Sequence, residues 1–293
     1  MTVGIDLSGR VAVVTGGTRG VGAGISRALL AAGAEVVACA RRPPEHPLSV
    51  PGEGHAGPRT AVFEPLDVRD PDAVAACFAR VRDRHKSLDI LVNNAGGAPY
   101  RLLDDSSPRQ AARAIELNLT APLTASLAAR NVMARQRSGG SIIMIGSVSG
   151  TRPSPGTAAY GAAKAGLENL ARTMAVEWAP HIRVNTLVLG MVHTERSHLH
   201  YGDEAGVVAV GRTVPLGRLA TPDEVGGLCA FLAGDGCGYV SGASLLVHGG
   251  GERPAFLAAA GTSAGRPRKS RTDAPSCTAA SASLPDQEDQ HDR

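Results

Sequence analysis

Tyr160 and Lys164 stand four residues apart in Tyr160-Gly161-Ala162-Ala163-Lys164, with Ser147 upstream. Four residues is about one helical turn, so a helix there presents the phenol and the ammonium on one face. The positive charge favours the phenolate and is expected to pull the Tyr160 pKa downward. Tyr160 then becomes a proton donor or acceptor near neutrality. Near the N-terminus, Thr15-Gly16-Gly17-Thr18-Arg19-Gly20-Val21-Gly22 follows a β-branched run and opens a helical pattern. Small residues in such a turn let the backbone approach a pyrophosphate, whose charge settles at the helix N-terminus. A proton-active phenol and a phosphate cradle in one chain point to hydride transfer.

The glycine spacing, T-G-x-x-x-G-x-G, differs from the G-x-G-x-x-G fingerprint, and taken alone it could be only a tight strand-to-helix connection. Cofactor choice is read after the second strand, where an acidic side chain bonds the ribose hydroxyls of NAD. This chain has Ala40, then Arg41 and Arg42, and Arg19 in the glycine turn could reach the same place. Two guanidiniums around a 2′-phosphate favour NADP(H) over NAD(H); the plainer reading is that both are solvated. Asn94, Ala95 and Gly96, in Asn93-Asn94-Ala95-Gly96, follow the fourth strand, where the carboxyl ends of strands form a ligand crevice. Asp67, in Leu66-Asp67-Val68, ends the third strand, placed either to accept from an adenine amino group or to cap the turn before Asp70. Val68 is grouped with it in the cofactor contact set.

Positioning these groups requires a sheet. Short β-branched runs alternate with longer helical patterns, which predicts a parallel sheet covered on both faces. Seven strands are read, at Val11 to Thr15, Glu35 to Cys39, Thr60 to Phe63, Leu88 to Val92, Ser141 to Ile145, Ile182 to Val188 and Ser244 to Val247. They make an α/β class protein with a single doubly wound domain. Asp70-Pro71, Ser107-Pro108 and Thr221-Pro222-Asp223-Glu224 mark helix starts, and Gly33 marks a helix end. The Pro- and Gly-rich stretch from Pro43 to Pro58 predicts a loop in place of the crossover helix. The catalytic domain is expected over 1–257, and the polar, charged tail over 258–293 is expected to be disordered.

Composition narrows the function. With 43% hydrophobic residues the chain can bury a sizeable core, and 30 basic against 27 acidic residues give a charge of only +3. That charge is too small to imply nucleic acid or an anionic membrane as partner. Cys39, Cys77, Cys229, Cys237 and Cys277 show no C-x-x-C, so reduced thiols are expected. No stretch approaches the ~18 apolar residues that span a bilayer, and no leader pattern opens the chain, so a cytoplasmic location is expected.

Together these motifs resemble the short-chain dehydrogenase/reductase family from about Leu7 to Gly251. The match comprises Thr15 to Gly22, Asn93 to Gly96, Asn118 in Leu117-Asn118-Leu119, Ser147, and Tyr160 with Lys164. The resemblance implies a Rossmann-type fold with seven parallel strands, and a homotetramer or homodimer built through helix pairs. It implies Tyr160 as general acid in carbonyl reduction and base in alcohol oxidation, with Ser147 bonding the substrate oxygen. Lys164 would hold the nicotinamide ribose, Asn118 would support a water relay behind it, and Gly190, Val192 and Thr194 match the segment that binds the carboxamide. Two departures stand out: Leu189 replaces the usual Pro, which predicts a less rigid backbone there, and His248 replaces a common Asp.

The substrate side is expected over about 191–215, a lid whose Leu199, Val207, Val208 and Val210 suit a hydrophobic ketone or alcohol. His193, His198 and His200 fall there without acidic or cysteine partners at coordinating spacing, and no metal is expected. Arg152 is either a recogniser of anions or a solvated loop residue. Family reductases of acyl-carrier-protein substrates often carry a basic residue where this chain has Val176, before Glu177, which weakens that role without excluding it. The resulting expectation is an NADP(H)-dependent ketone/alcohol oxidoreductase. The alternatives are a non-catalytic cofactor-sensing regulator and a dehydratase or epimerase on the same fold.

Overall fold

The computed structural model describes residues 5–52 and 57–256. Its main sheet has seven parallel strands: β1 (Val11–Thr15), β2 (Glu35–Ala40), β5 (Val62–Pro65), β6 (Ile90–Asn93), β7 (Gly140–Ser147), β8 (Ile182–Leu189) and β9 (Ser244–Val247), in spatial order β5-β2-β1-β6-β7-β8-β9. Two-residue strands β3 (Ser49–Val50) and β4 (Arg59–Thr60) form a small antiparallel pair.

Why β1 lies in the interior of the sheet follows from its residues. Every residue of Val11–Thr15 is buried, as expected of a parallel strand covered on both faces. Val11, Val13, Val37 and Cys39 pack with Phe78, Ala125 and Leu167, while Ala12, Val14 and Val36 pack with Ile25, Leu29 and Val225. Strand alternation thus divides the apolar side chains between two cores. The first core carries α2 (Pro71–His85), α4 (Ala121–Met133) and α5 (Ala158–Glu177); the second carries α1 (Gly20–Ala31) and α8 (Pro222–Ala233).

Helices α1 and α8 meet where neither has a side chain. A Cβ on Gly24 would lie 2.4 Å from the Pro222 carbonyl, and one on Gly226 would lie 2.5 Å from the Gly24 oxygen. The expected helix starts are all present. Asp70 accepts from the Asp72 and Ala73 amides, and Ser107 with Gln110 and Thr221 with Glu224 form reciprocal capping boxes opening α3 (Pro108–Ile115) and α8. Gly33 takes φ +104° after α1.

Several strands start or end one or two residues from their expected bounds, and the third differs in partner as well. Thr60 belongs to β4, its hydroxyl 2.8 Å from that of Ser49, and the third strand of the main sheet begins at Val62, where Val37 pairs with it. No helix occupies this crossover among the described residues, in line with its prolines. Cys39, Cys77, Cys229 and Cys237 are buried free thiols. One compact unit ends at Glu252. The tail expected over 258–293 lies outside the described residues. Among the described residues no helix is long and apolar enough to cross a membrane.

Candidate active site

Strands β1 and β6 are neighbours from which the chain winds in opposite directions, the position where such sheets open a crevice at their carboxyl ends. Thr15 closes the floor. Its hydroxyl donates to the Val92 carbonyl at 3.3 Å and accepts from the amides of Asn94 (3.0 Å) and Ala95 (3.1 Å). Asn94 answers by donating from Nδ2 to the carbonyls of Thr15 (3.0 Å) and Gly16 (3.1 Å). The Asn94 side chain therefore ties the two loops together.

The glycine turn is tight for a measurable reason. A Cβ on Gly22 would stand 2.1 Å from the Gly16 oxygen, and Gly16 and Gly20 hold φ +63° and +50°. Thr18 lies within that turn, Arg19 is the extended residue ahead of α1, and Val21 is in its first turn. No side chain caps this helix end, so its first N–H groups remain for an anion. Thr194 reaches across, with its methyl 3.5 Å from where a Gly20 Cβ would be. Gly190 lies against His248, and Val192 bridges to Ala220, so the 190–194 segment is fixed beside the turn. The small residues and open amides fit a dinucleotide.

Arg19 is held below its usual pKa by burial and by the nearby charges of Arg196, Arg41 and Arg42, while Glu195 opposes them. Three further guanidinium charges therefore act on the Arg19 side chain. Arg196 was not expected; no sequence spacing connects it to Arg19, and only the return of the chain after Thr194 brings them together. Asp67 is engaged by Arg69, whose Nε and Nη2 donate at 3.0 and 2.6 Å, and this partner holds the carboxyl down at about 2. These bonds hold the turn that follows β5. Val68 is buried in the core.

The catalytic candidates converge at the end of β7. Ser147 is its last residue, and its hydroxyl accepts from the Ser149 amide at 3.2 Å. Tyr160 and Lys164 lie on α5 as their spacing predicts. Lys164 is 3% exposed; its Nζ donates to the Ile145 carbonyl at 2.7 Å and stands 5.5 Å from the Tyr160 ring centroid. Asn118 sits in a π-helical turn, Glu116–Thr120. A Cβ on Gly96 would be 2.7 Å from Asn118 Oδ1 and 3.5 Å from Lys164 Nζ, which places these three residues side by side.

The expected electrostatics need correction. Burial pushes the Tyr160 hydroxyl above its ordinary pKa, and the Ser147 hydroxyl, not Lys164, opposes the rise. Burial also brings Lys164 down to about 8. The ammonium donates to a main-chain carbonyl, and the burial of the phenol itself is what raises it. Leu189 also departs from expectation. It pairs with Ser147 on one side and Val247 on the other, so the backbone there is held in the ladder. Within the 191–215 segment, α6 (His198–Tyr201) and α7 (Glu204–Thr213) form, with Val207 buried and Leu199 and Val208 exposed. Arg152 is neither free nor solvated alone; it pairs with Glu252.

Fold and site define a nicotinamide-dependent oxidoreductase. The chain belongs to the short-chain dehydrogenase/reductase family: a family model described as enoyl-(acyl carrier protein) reductase matches residues 16–252. It is 35% identical over 253 residues to 3-oxoacyl-(acyl-carrier-protein) reductase FabG of Escherichia coli (strain K12), covering 84% of this chain and 98% of that one. It is also 35% identical over 258 residues to oxidoreductase UcpA of Escherichia coli O157:H7, covering 85% and 96%. Among solved structures it resembles ligand-free aldohexose dehydrogenase of Thermoplasma acidophilum, with TM-score 0.74, 28% identity, and coverage of 83% and 94%. The protein is an NAD(P)-dependent enzyme of this family.

Proposed function

We propose that this enzyme interconverts a ketone and a secondary alcohol on a hydrophobic small molecule, with NADP(H) preferred. The observation that carries the reading is the gathering of Ser147, Tyr160, Lys164 and Asn118 beside the glycine turn at one edge of the sheet. A bound nicotinamide supplies or accepts the hydride. Tyr160 delivers the proton to the carbonyl oxygen in reduction and removes it in oxidation. Ser147 donates a hydrogen bond to that oxygen and stabilises its developing charge. Lys164 would hold the ribose, and Gly190, Val192 and Thr194 would hold the carboxamide. Arg19 and Arg41 supply the cations that favour a 2′-phosphate.

The likeness to FabG supports a second reading, reduction of a 3-oxoacyl group on a carrier protein. Against it stands Val176, an exposed apolar residue on α5 where a basic docking residue is expected. The test is a panel of hydrophobic ketones and a 3-oxoacyl thioester, free and carrier-bound, assayed by absorbance with each cofactor. Faster turnover of free ketones with NADPH supports the first reading, and a requirement for the carrier protein supports the second. A homodimer or homotetramer accompanies either, with exposed Leu127 on α4 and Leu245 and Leu246 on β9 as apolar contact surface; sedimentation reads it directly.

A further inference from the structure

Loops after β6, β7, β8 and β9 all leave the sheet at the edge that carries Ser147. Three of their segments meet at one ion pair. Arg152, on the loop that follows Ser147, pairs with Glu252, on the segment that follows β9. Tyr201, at the end of α6, is near enough for both charges to act on it. Burial raises its hydroxyl pKa, while the Arg152 charge pulls it down and the Glu252 charge pushes it up. A fourth segment closes the other flank of the loop, where the Arg101 amide donates to the Gly156 carbonyl at 2.7 Å and the Tyr100 ring covers Gly156.

The pair is not there for stability. Its side chains remain 39% and 43% exposed, and ion pairs this open to solvent stabilise a fold little. Arg152 is the sole charged residue of the 151–157 loop. Its Nη1 is engaged as well, donating to the Pro153 carbonyl at 3.0 Å and the Ser154 hydroxyl at 3.4 Å, and the Ser154 hydroxyl lies 2.9 Å from that of Ser149. The guanidinium is therefore oriented as well as neutralised. An anionic substrate entering beside it would have to displace the Glu252 carboxylate and then remain next to it.

We infer that the Arg152–Glu252 pair is a specificity determinant at the substrate entrance, admitting uncharged carbonyl compounds and withholding the Arg152 cation from carboxylate-bearing ones. This rests on the ketone/alcohol reading above. Specificity of this kind comes from an unfavourable contact offered to the wrong substrate.

The test compares a β-keto ester with its β-keto carboxylate by the ratio of their kcat/KM values, in the wild type and in E252Q, R152Q and the double variant. The wild type should favour the ester. E252Q should move the ratio toward the carboxylate by about tenfold or more, an effect that shrinks in high salt. R152Q should not do so, and adding R152Q to E252Q should cancel the shift, since the two residues act as one coupled unit. An E252Q ratio equal to that of the wild type overturns the inference. Calorimetric binding of both compounds to the NADP+-saturated proteins gives the same ratio without turnover. A binding ratio that shifts in E252Q while no variant consumes NADPH keeps the entrance role and removes the ketone/alcohol reading. Turnover with an unshifted ratio does the reverse.

Discussion

Asn118 holds Gly97 by both of its main-chain groups: the Gly97 amide donates to Oδ1 at 2.8 Å, and Nδ2 donates to the Gly97 carbonyl at 3.0 Å. Nδ2 also donates to the Ala114 carbonyl at 2.9 Å, one turn back, at the point where the helix opens into its π turn. A single buried amide thus fixes the loop after β6 and the helix facing Lys164.

Replacing Asn118 by Ala removes three hydrogen bonds to main-chain groups, those of exposed Gly97 and the half-buried Ala114 carbonyl. Water can replace part of what is lost, and at about 0.5–1.5 kcal/mol net per hydrogen bond Asn118→Ala should lower stability by roughly 1–3 kcal/mol in urea unfolding. Its kcat should fall more than its KM rises, because the loss falls on the groups behind Tyr160 and not on substrate contacts. Unchanged kcat in a destabilised variant would reduce Asn118 to a structural residue.

Lys164 titrates at about 8 in the folded protein against 10.5 for the free side chain. Between those values the unfolded chain still binds the proton that the folded chain has released, so stability rises with pH through that window. Below it, both states are protonated and the cost of the buried charge is constant. The total change is on the order of 3 kcal/mol. Urea unfolding of the wild type and Lys164→Met across this range should show the wild type gaining by that amount relative to the variant. A constant difference would mean that Lys164 is not desolvated.

The proposed NADP(H) preference rests on the guanidiniums near Arg19. A charge-assisted hydrogen bond contributes about 1.5–3 kcal/mol, roughly a 10- to 100-fold change in affinity. Arg41→Asp should therefore weaken NADPH by that factor while changing NADH far less, measured by fluorescence titration of each. Equal losses for both cofactors would place Arg41 away from the 2′-phosphate.

The sheet and the placing of Tyr160 and Lys164 on one helix were legible because both depend on local pattern. Val11–Thr15 is apolar throughout because both of its faces are covered, and the four-residue interval of Tyr160 and Lys164 survives into any helix that contains them. Choices between partners were not legible. Thr60 fits a strand equally well against Ser49 or in the main sheet, and only tertiary pairing decides. Arg69 takes Asp67 and Glu252 takes Arg152, one by a turn and the other across a hundred residues. The direction of the Tyr160 pKa is not legible either, because spacing reports proximity to a charge and says nothing of the depth at which both groups are buried.

Proton transfer by Tyr160 is tested most directly by NADPH-linked reduction of a hydrophobic ketone in the wild type and in Tyr160→Phe, with NADPH affinity measured on both. The expected result is a loss of about 10²- to 10⁴-fold in kcat with cofactor affinity retained. A Tyr160→Phe enzyme that turns over at the wild-type rate would contradict the role of this hydroxyl.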